Sequence, residues 1–278
     1  MTATILIQLK KAFRLMLRKP GFIAYAALAD MMFIFTITFF SSALYDKILE
    51  YVIAASSLTA KSSAQIGSIV ASSNTLYSGI LSISGVKELA YDIIIISLLL
   101  ALGTYIIYCF FQCISWHLAG ELAGSRRKYP EFMSSFLKIN IIWLAIYALF
   151  GFIKLAAGFR KQIASQSYAG DIFDISIIIP ILAVIFIYYA GISYSRIFVK
   201  CKKGFANLVR TGYKDAGYMI PRYLTIALII TAIHMMQVII FKYSIIMSGV
   251  LFFAAELPSF TFARIFIIRI MEDKDENN

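Results

Sequence analysis

Six ionisable side chains lie within or at the ends of long apolar segments, where they could bind a proton, an ion or one another. They are Asp30, His117, Glu121, Arg196, Glu256 and Arg264. Because a charge inside hydrocarbon is costly, each of them needs a polar partner, a proton or water. We predict that they line a polar cavity that opens to the inner side of a membrane. The alternative is that Arg196 and Arg264 only anchor helix ends to lipid phosphates.

Asp30 is the strongest candidate of this set, because it lies halfway along an apolar segment that starts after Pro20. We expect its side chain to point into the protein and to find hydroxyl groups, tyrosines or water. Two roles stay open at this position: a structural, hydrogen-bonded carboxyl group, and a group that couples to a proton or a cation.

Motifs for catalysis and for cofactors are missing from the sequence. His117 and His234 are the only histidines, which excludes a three-histidine metal site, and neither a His-Glu-x-x-His motif nor a Walker phosphate loop occurs. His117 and Glu121 are four residues apart on one helix face, and they are the only support for an enzyme. We therefore predict no catalytic residue, no metal site and no cofactor.

The composition is that of a membrane protein. Hydrophobic residues make up 60% of the 278 positions and charged residues 15%, against about 25% charged residues in soluble domains. A soluble chain of this length cannot bury so much apolar surface around one core. We predict a single integral membrane domain over residues 1–278. The net charge of +11 falls between apolar segments, which indicates anionic lipid headgroups as partners and no nucleic acid.

Six apolar segments are long enough to cross about 30 Å of hydrocarbon. They cover residues 21–44, 93–118, 139–158, 172–195, 223–241 and 243–268. Each segment is continuously apolar rather than alternating, which favours helices over the strands of an outer-membrane barrel. The sequence therefore predicts an all-α polytopic membrane bundle with six transmembrane helices.

The distribution of cations predicts the orientation of this bundle. Six spans put both termini on one side, and nineteen of the 26 Lys and Arg residues lie in the segments on that side. Because cytoplasmic loops carry the excess of Lys and Arg, both termini should be cytoplasmic, in the plasma membrane of a prokaryote. The long outward insertion, residues 46–90, is either a helical cap on the outer surface or a re-entrant loop.

Short basic segments precede the first, third and fifth spans and resemble one another. The similar stretches are Lys10-Lys11-Ala12-Phe13, Arg127-Lys128-Tyr129-Pro130 and Lys202-Lys203-Gly204-Phe205. Apolar residues follow at helical spacing, which is typical of amphipathic helices that lie in the membrane interface. The cations predicted to contact lipid are Lys10, Lys11, Arg126, Arg127, Lys128, Lys202 and Lys203.

The ends of the second, fourth and sixth spans also match, since a hydroxyl residue precedes an aromatic one in Ser115-Trp116, Ser193-Tyr194 and Thr261-Phe262. These matches predict a three-fold repeat of an interfacial helix and a two-span hairpin, with units at about 1–124, 125–199 and 200–278. The alternative is that any three inward-facing hairpins would carry basic and aromatic residues at these places.

This pattern, with Lys10-Lys11-Ala12-Phe13-Arg14 through Pro20 as the closest stretch, resembles uncharacterised six-span membrane domains of prokaryotes. Among them is the membrane domain attached to some glycerophosphodiester phosphodiesterases. The resemblance covers nearly the whole chain and rests on the pattern of spans rather than on a specific motif. It implies a fold and no activity, because the chain has no phosphodiesterase domain.

Three functions follow from these features. The first is a non-catalytic membrane protein, either a lipid-interacting scaffold or the membrane component of a larger assembly with unidentified protein partners. The second is a transporter or channel for a small solute or lipid, which the repeat and Asp30 favour. The third is a membrane-embedded enzyme, which requires a water-accessible pair of His117 and Glu121. The first function agrees best with the basic interfacial helices and the missing motifs.

Overall fold

In the computed structural model the chain is almost entirely helical over the residues that the structure describes, which are 2–61, 85–125, 127–166, 178–198 and 205–275. The first two helices are α1 (Thr2–Arg18) and α2 (Pro20–Lys61). They are followed by α3 (Val86–Ala123), α4 (Tyr129–Gln166) and α5 (Ile178–Phe198). The C-terminal part contains α6 (Phe205–Lys214), α7 (Ala216–Phe241) and α8 (Ile245–Leu251). A π-helical segment (Phe252–Glu256) then leads into α9 (Leu257–Asp275).

Five helical stretches in the described part are long and apolar enough to cross a membrane: Pro20–Thr59, Val86–Ala123, Tyr129–Gly151, Ala216–Phe241 and Ile245–Lys274. The multi-pass helical membrane protein predicted from the sequence is therefore confirmed at this level. α5 is apolar but contributes only the shorter stretch Val184–Phe198. The predicted fourth span began at residue 172, and residues 167–177 lie outside the described residues.

Helix α2 extends much further than its predicted span. Its 42 residues correspond to about 63 Å, and the helix passes through residue 46, where the outward insertion was predicted to begin. The first part of that insertion is therefore a continuation of α2 and its last five residues open α3. Residues 62–84, the middle of the predicted insertion, lie outside the described residues. Gly85 adopts a left-handed φ of 85° immediately before α3, a conformation that favours glycine.

The described residues divide into two compact units. One unit, residues 33–108, consists of the C-terminal part of α2 and the N-terminal part of α3. Its contacts include an edge-to-face pair of Phe33 and Tyr108, with ring centroids 5.8 Å apart, and Phe40 packed over Gly103.

The other unit, residues 1–32 and 109–278, is organised around α9. This helix packs against α1, α5 and α7, and six consecutive residues, 263–268, are all buried. The largest fully buried side chains of the unit include Phe132, Phe136, Phe266 and Met271. By contrast, α7 exposes a series of large apolar side chains: Leu224, Leu228, Met235, Met236, Ile239 and Phe241. An exposed apolar surface of this extent is typical of a helix that faces lipid.

The three lead-in segments differ in the structure. The first is the separate helix α1 and the third includes the separate short helix α6, whereas the second is the start of the long helix α4. In α4 part of the apolar stripe lies in the protein core, because Phe132 and Phe136 are fully buried, whereas Met133 is exposed. Phe132 stacks on Phe198 at 4.7 Å, so this part of the stripe is occupied by helix packing.

Candidate functional site

Asp30 lies in a polar network formed by α2, α3 and α9. Asp30 is ten residues after the start of α2, Gln112 eleven residues before the end of α3, and Arg264 ten residues before Lys274 in α9. At 1.5 Å per residue, these separations correspond to about 15–16 Å along each helix axis. Equal depth along three packed helices explains how residues distant in the chain meet at one level.

Arg264 and Asp30 form a two-point ion pair at the centre of this network. Arg264 Nη1 donates to Asp30 Oδ2 at 2.6 Å and Nη2 donates to Oδ1 at 2.8 Å. Nη2 also donates to Gln112 Oε1 at 2.7 Å. Asp30 Oδ1 accepts further hydrogen bonds from Gln112 Nε2 at 3.0 Å and from Ser115 Oγ at 2.9 Å. Both carboxylate oxygens and the facing guanidinium nitrogens therefore have partners.

The network is buried and its formal charges balance. Asp30 is 2% exposed and Ser115 is fully buried. The guanidinium carbon of Arg264 is 5.9 Å from the ring centroid of Trp116, within reach of a cation–π contact. Removing one charge from such a pair leaves the other unpaired in a medium of low dielectric constant, which is strongly unfavourable. We interpret this arrangement as a structural connection between the first and last long helices.

Five of the six candidate side chains form three separate pairs, one of them with His234, rather than the single inward-facing cluster that the sequence predicts. Besides Asp30 with Arg264, His117 Nε2 lies 3.5 Å from Glu121 Oε1, and His234 Nδ1 lies 2.9 Å from Glu256 Oε1. The alternative that Arg264 anchors α9 to lipid phosphate is wrong, because its guanidinium group is buried against Asp30. Arg196 is half-buried in the last turn of α5.

His117 is held in place mainly by aromatic rings near the end of α3. Its ring centroid lies 5.1 Å from that of Tyr129 and 5.6 Å from that of Phe132. Its Nδ1 atom is buried without a hydrogen-bond partner in the described part of the chain. The Glu121 side chain is 41% exposed. An imidazole between two rings is poorly placed to reach a substrate, which weakens the case for an enzyme.

A second polar cluster, which we call the inner clamp, joins α1 to the start of α7 and the end of α9. It consists of Gln8, Tyr218, Arg222 and Asp273. Gln8 Nε2 donates to Asp273 Oδ2 at 2.8 Å, and Arg222 Nε donates to Gln8 Oε1 at 2.9 Å. The guanidinium group of Arg222 stacks over the Tyr218 ring at 3.5 Å. Lys274 also pairs with Asp215, which precedes α7. The inner clamp makes α1 part of the folded unit.

The predicted lipid-contacting cations have different surroundings. Lys10, Lys11 and Lys128 are exposed. Arg127 is half-buried and donates to the Ile197 carbonyl oxygen and, at 2.8 Å, to Ser135 Oγ. It therefore closes the end of α5 instead of pointing to open surface. The side chains of Arg126, Lys202 and Lys203 lie outside the described residues.

The predicted hydroxyl–aromatic matches lie mainly in the protein core. Ser115, Ser193 and Thr261 are nearly or fully buried. Ser193 Oγ accepts a hydrogen bond of 3.0 Å from Trp143 Nε1, and the rings of Trp116 and Tyr194 are 5.1 Å apart. These contacts connect the matched positions of α3 and α5 through packing.

Several site residues were missed from the sequence, chiefly Gln112, Ser115, His234 and Gln8. Gln112 and Ser115 are three residues apart on one face of an apolar helix, and that polar pair could have indicated a partner for Asp30. His234 has apolar neighbours on both sides in α7, and only the tertiary structure places Glu256 beside it.

Comparisons with protein-family models, with curated proteins and with solved structures find no match to this chain. The functional argument therefore rests on its own residues.

Proposed function

We propose that this chain is a non-catalytic, lipid-interacting scaffold of a prokaryotic plasma membrane, with α1 as its binding surface for anionic headgroups. The observation that carries this proposal is the distribution of side chains around α1. One side of the helix docks on the protein, the next is apolar and exposed, and the next is cationic and exposed.

The docked side of α1 contains Gln8, held by the inner clamp, and the fully buried Ala12. The apolar row follows helical spacing and consists of Leu6, Phe13 and Leu17. The row beside it contains the cations Lys10, Lys11, Arg14 and Arg18 together with Ile7. All members of both rows are exposed. A helix of this type lies in the membrane interface, with apolar side chains among the acyl chains and cations at the phosphates.

The proposed topology has six spans, with α5 as the fourth, and both termini in the cytoplasm. Five apolar helical stretches, the additional apolar helix α5 and the excess of cations on one predicted side support it. The proposed three-fold repeat divides these six spans into three hairpins. The buried positions of Ser115, Ser193 and Thr261, one in each hairpin, support it.

The state of Asp30 favours a scaffold over a transporter. A carboxylate that carries protons or cations must exchange its partners during a transport cycle. Asp30 instead has a guanidinium, an amide and a hydroxyl group as simultaneous donors. These contacts support the structural one of the two roles that the sequence leaves open.

The proposal is tested by lipid binding to the purified full-length protein. Phosphatidylglycerol and phosphatidylcholine are titrated separately, and bound lipids are counted by native mass spectrometry. We expect the wild type to prefer phosphatidylglycerol. Replacing Lys10 and Arg14 together by Gln should weaken that binding roughly 30-fold, from about 1 kcal/mol for each cation.

The matched control is Lys47→Gln with Lys87→Gln, which removes the same charge from exposed positions outside α1. This variant should retain the preference of the wild type for phosphatidylglycerol. Equal binding of both lipids by the wild type, or equal losses in the two double variants, would contradict the proposal.

A further inference from the structure

His234 and Glu256 meet at a place where the helix geometry changes. Residues Phe252–Glu256 form a π-helical turn, closed by the Leu257 N–H donating to the Phe252 carbonyl oxygen. The turn precedes Pro258, which has no backbone N–H to donate, and Ser259 Oγ donates to the Glu256 carbonyl oxygen at 2.6 Å. π-helical turns inside α-helices occur frequently at functional sites. Here the turn rotates Glu256 towards α7 and brings its carboxylate to His234.

We propose that His234 and Glu256 form a proton-binding site within the membrane-crossing part of the chain, reached from the turn between α7 and α8. This inference is independent of the proposed lipid-binding role of α1, because it concerns different residues and a different ligand.

The difference in exposure between the His234 and Glu256 side chains suits proton binding. Glu256 Oε1 is 2.9 Å from His234 Nδ1, and the side chain of Glu256 is only 9% exposed. Its second oxygen, Oε2, is buried without a hydrogen-bond partner in the described part of the chain. The His234 side chain is 56% exposed. With Nδ1 directed at the carboxylate, the free ring nitrogen Nε2 is available to accept a proton.

The other charged groups of the packed helices leave the pair without a cation of its own. In α7, Arg222 is twelve residues before His234, about 18 Å along the axis, and donates to Gln8. In α9, Arg264 is eight residues after Glu256, about 12 Å, and is engaged by Asp30. Helix α8, Ile245–Leu251, contains no titratable residue. Lys242, in the turn before it, is eight residues after His234, about 12 Å along the axis, and is exposed. With His234 neutral and Glu256 ionised, the site carries one uncompensated negative charge.

Binding one proton removes that charge. A hydronium ion approaching Nε2 transfers its proton, so an N–H bond forms, an O–H bond breaks and a water molecule is released. The product is an imidazolium–carboxylate pair without net charge. Because an unpaired charge at membrane depth is costly, neutralisation stabilises the site.

Polar groups lie between the site and the turn that joins α7 to α8. Gln237 is one helical turn beyond His234, and its Oε1 atom is buried without a hydrogen-bond partner in the described part of the chain. Ser248 Oγ lies 3.4 Å from the Gln237 carbonyl oxygen and donates to it. Ser244, in the turn itself, accepts from the Met247 N–H at 3.2 Å. These groups are a route by which water could supply the proton.

The chain has only two histidines, which permits a direct test. His117→Gln leaves His234 as the single histidine, and nitrogen-15 histidine labelling then reports its protonation by solid-state NMR in liposomes. Lowering the pH from about 8 to about 5 should convert the signals of the neutral ring to those of a ring with protons on both nitrogens. Adding Glu256→Gln should abolish most of that conversion over the same range.

Two further variants complete the test. Gln237→Leu should slow the conversion while the final spectrum stays that of the His117→Gln parent, because only the route is changed. His234→Gln should remove the signals altogether and confirm their assignment. Circular dichroism and gel filtration of each variant establish that it is folded. The proposal is overturned if the histidine spectrum does not change with pH, or if it changes equally with Glu and with Gln at position 256.

Discussion

Arg264 and Asp30 are 234 positions apart in the chain, and the two side chains form the most completely bonded ion pair described in the protein. The pair joins α2, which begins the first predicted span, to α9, which ends the last one. Neither helix can bury its charge alone, so each requires the other at membrane depth. The C-terminal helix is therefore essential to the fold rather than an appendage to it.

The first prediction concerns Asp30→Asn. An amide could replace the carboxylate if hydrogen bonds alone were needed, but it leaves the buried Arg264 without a counter-charge. We expect the free energy of unfolding to fall by about 3–5 kcal/mol, measured by steric trapping in bicelles.

Combining Asp30→Asn with Arg264→Gln provides the control, because both charges are then removed. The double variant should be more stable than either single variant, since no unpaired charge remains. Additive losses in this cycle would show that the two charges do not interact.

The second prediction concerns a close approach at Gly120 in α3. A Cβ atom at this position would lie 2.1 Å from Cε1 of Phe198. Phe198 cannot move aside easily, because its ring stacks on the fully buried Phe132. Gly120→Ala should therefore lower the free energy of unfolding by about 1–3 kcal/mol, measured in the same bicelles.

Gly151→Ala is the matched control for this substitution. Gly151 is also helical, but a Cβ atom there would have no neighbour within 4 Å. This variant should be neutral or more stable by up to about 1 kcal/mol, because alanine favours a helix. If both variants have the same stability, the packing at Gly120 is not as tight as described.

The third prediction concerns the attachment of α1 through the inner clamp. Gln8→Leu removes the partner of both Arg222 Nε and Asp273 Oδ2. An unsatisfied buried donor or acceptor costs about 1–3 kcal/mol, so docking of α1 should weaken by that amount. Hydrogen exchange of the backbone amides in residues 4–18 should become faster, while the amides of α9 around Phe266 keep their protection. Unchanged exchange in α1 would argue that its apolar contacts alone hold it.

The fourth prediction concerns topology and uses cysteine labelling in intact cells. After replacement of Cys109, Cys113 and Cys201, single cysteines are placed at Ser62, Tyr243 and Ser125. An impermeant reagent added outside should label the first two positions, which lie on the predicted outer side. The third should react only after the membrane is permeabilised. Outside labelling at position 125 would reverse or reject the proposed orientation.

The membrane character of this protein follows from its sequence alone. Hydropathy is a sum over neighbouring residues, and a helix in lipid satisfies its backbone hydrogen bonds within the same segment. Both properties are local, so the helical multi-pass fold and most of the span positions could be predicted. The inward orientation of Asp30 was also predictable, because lipid offers no partner for a carboxylate.

Only the tertiary structure decided which side chains meet. The order and the depth at which the helices pack determine that Arg264 meets Asp30, that Gln8 meets Asp273 and that His234 meets Glu256. Both the order and the depth depend on contacts between distant segments. The apolar stripe at the start of α4 has the spacing of an interfacial helix, yet its Phe132 and Phe136 are buried because α4 continues unbroken and α5 packs against it. Helical periodicity specifies which residues share a face, whereas the identity of the neighbour on that face is a property of the whole fold.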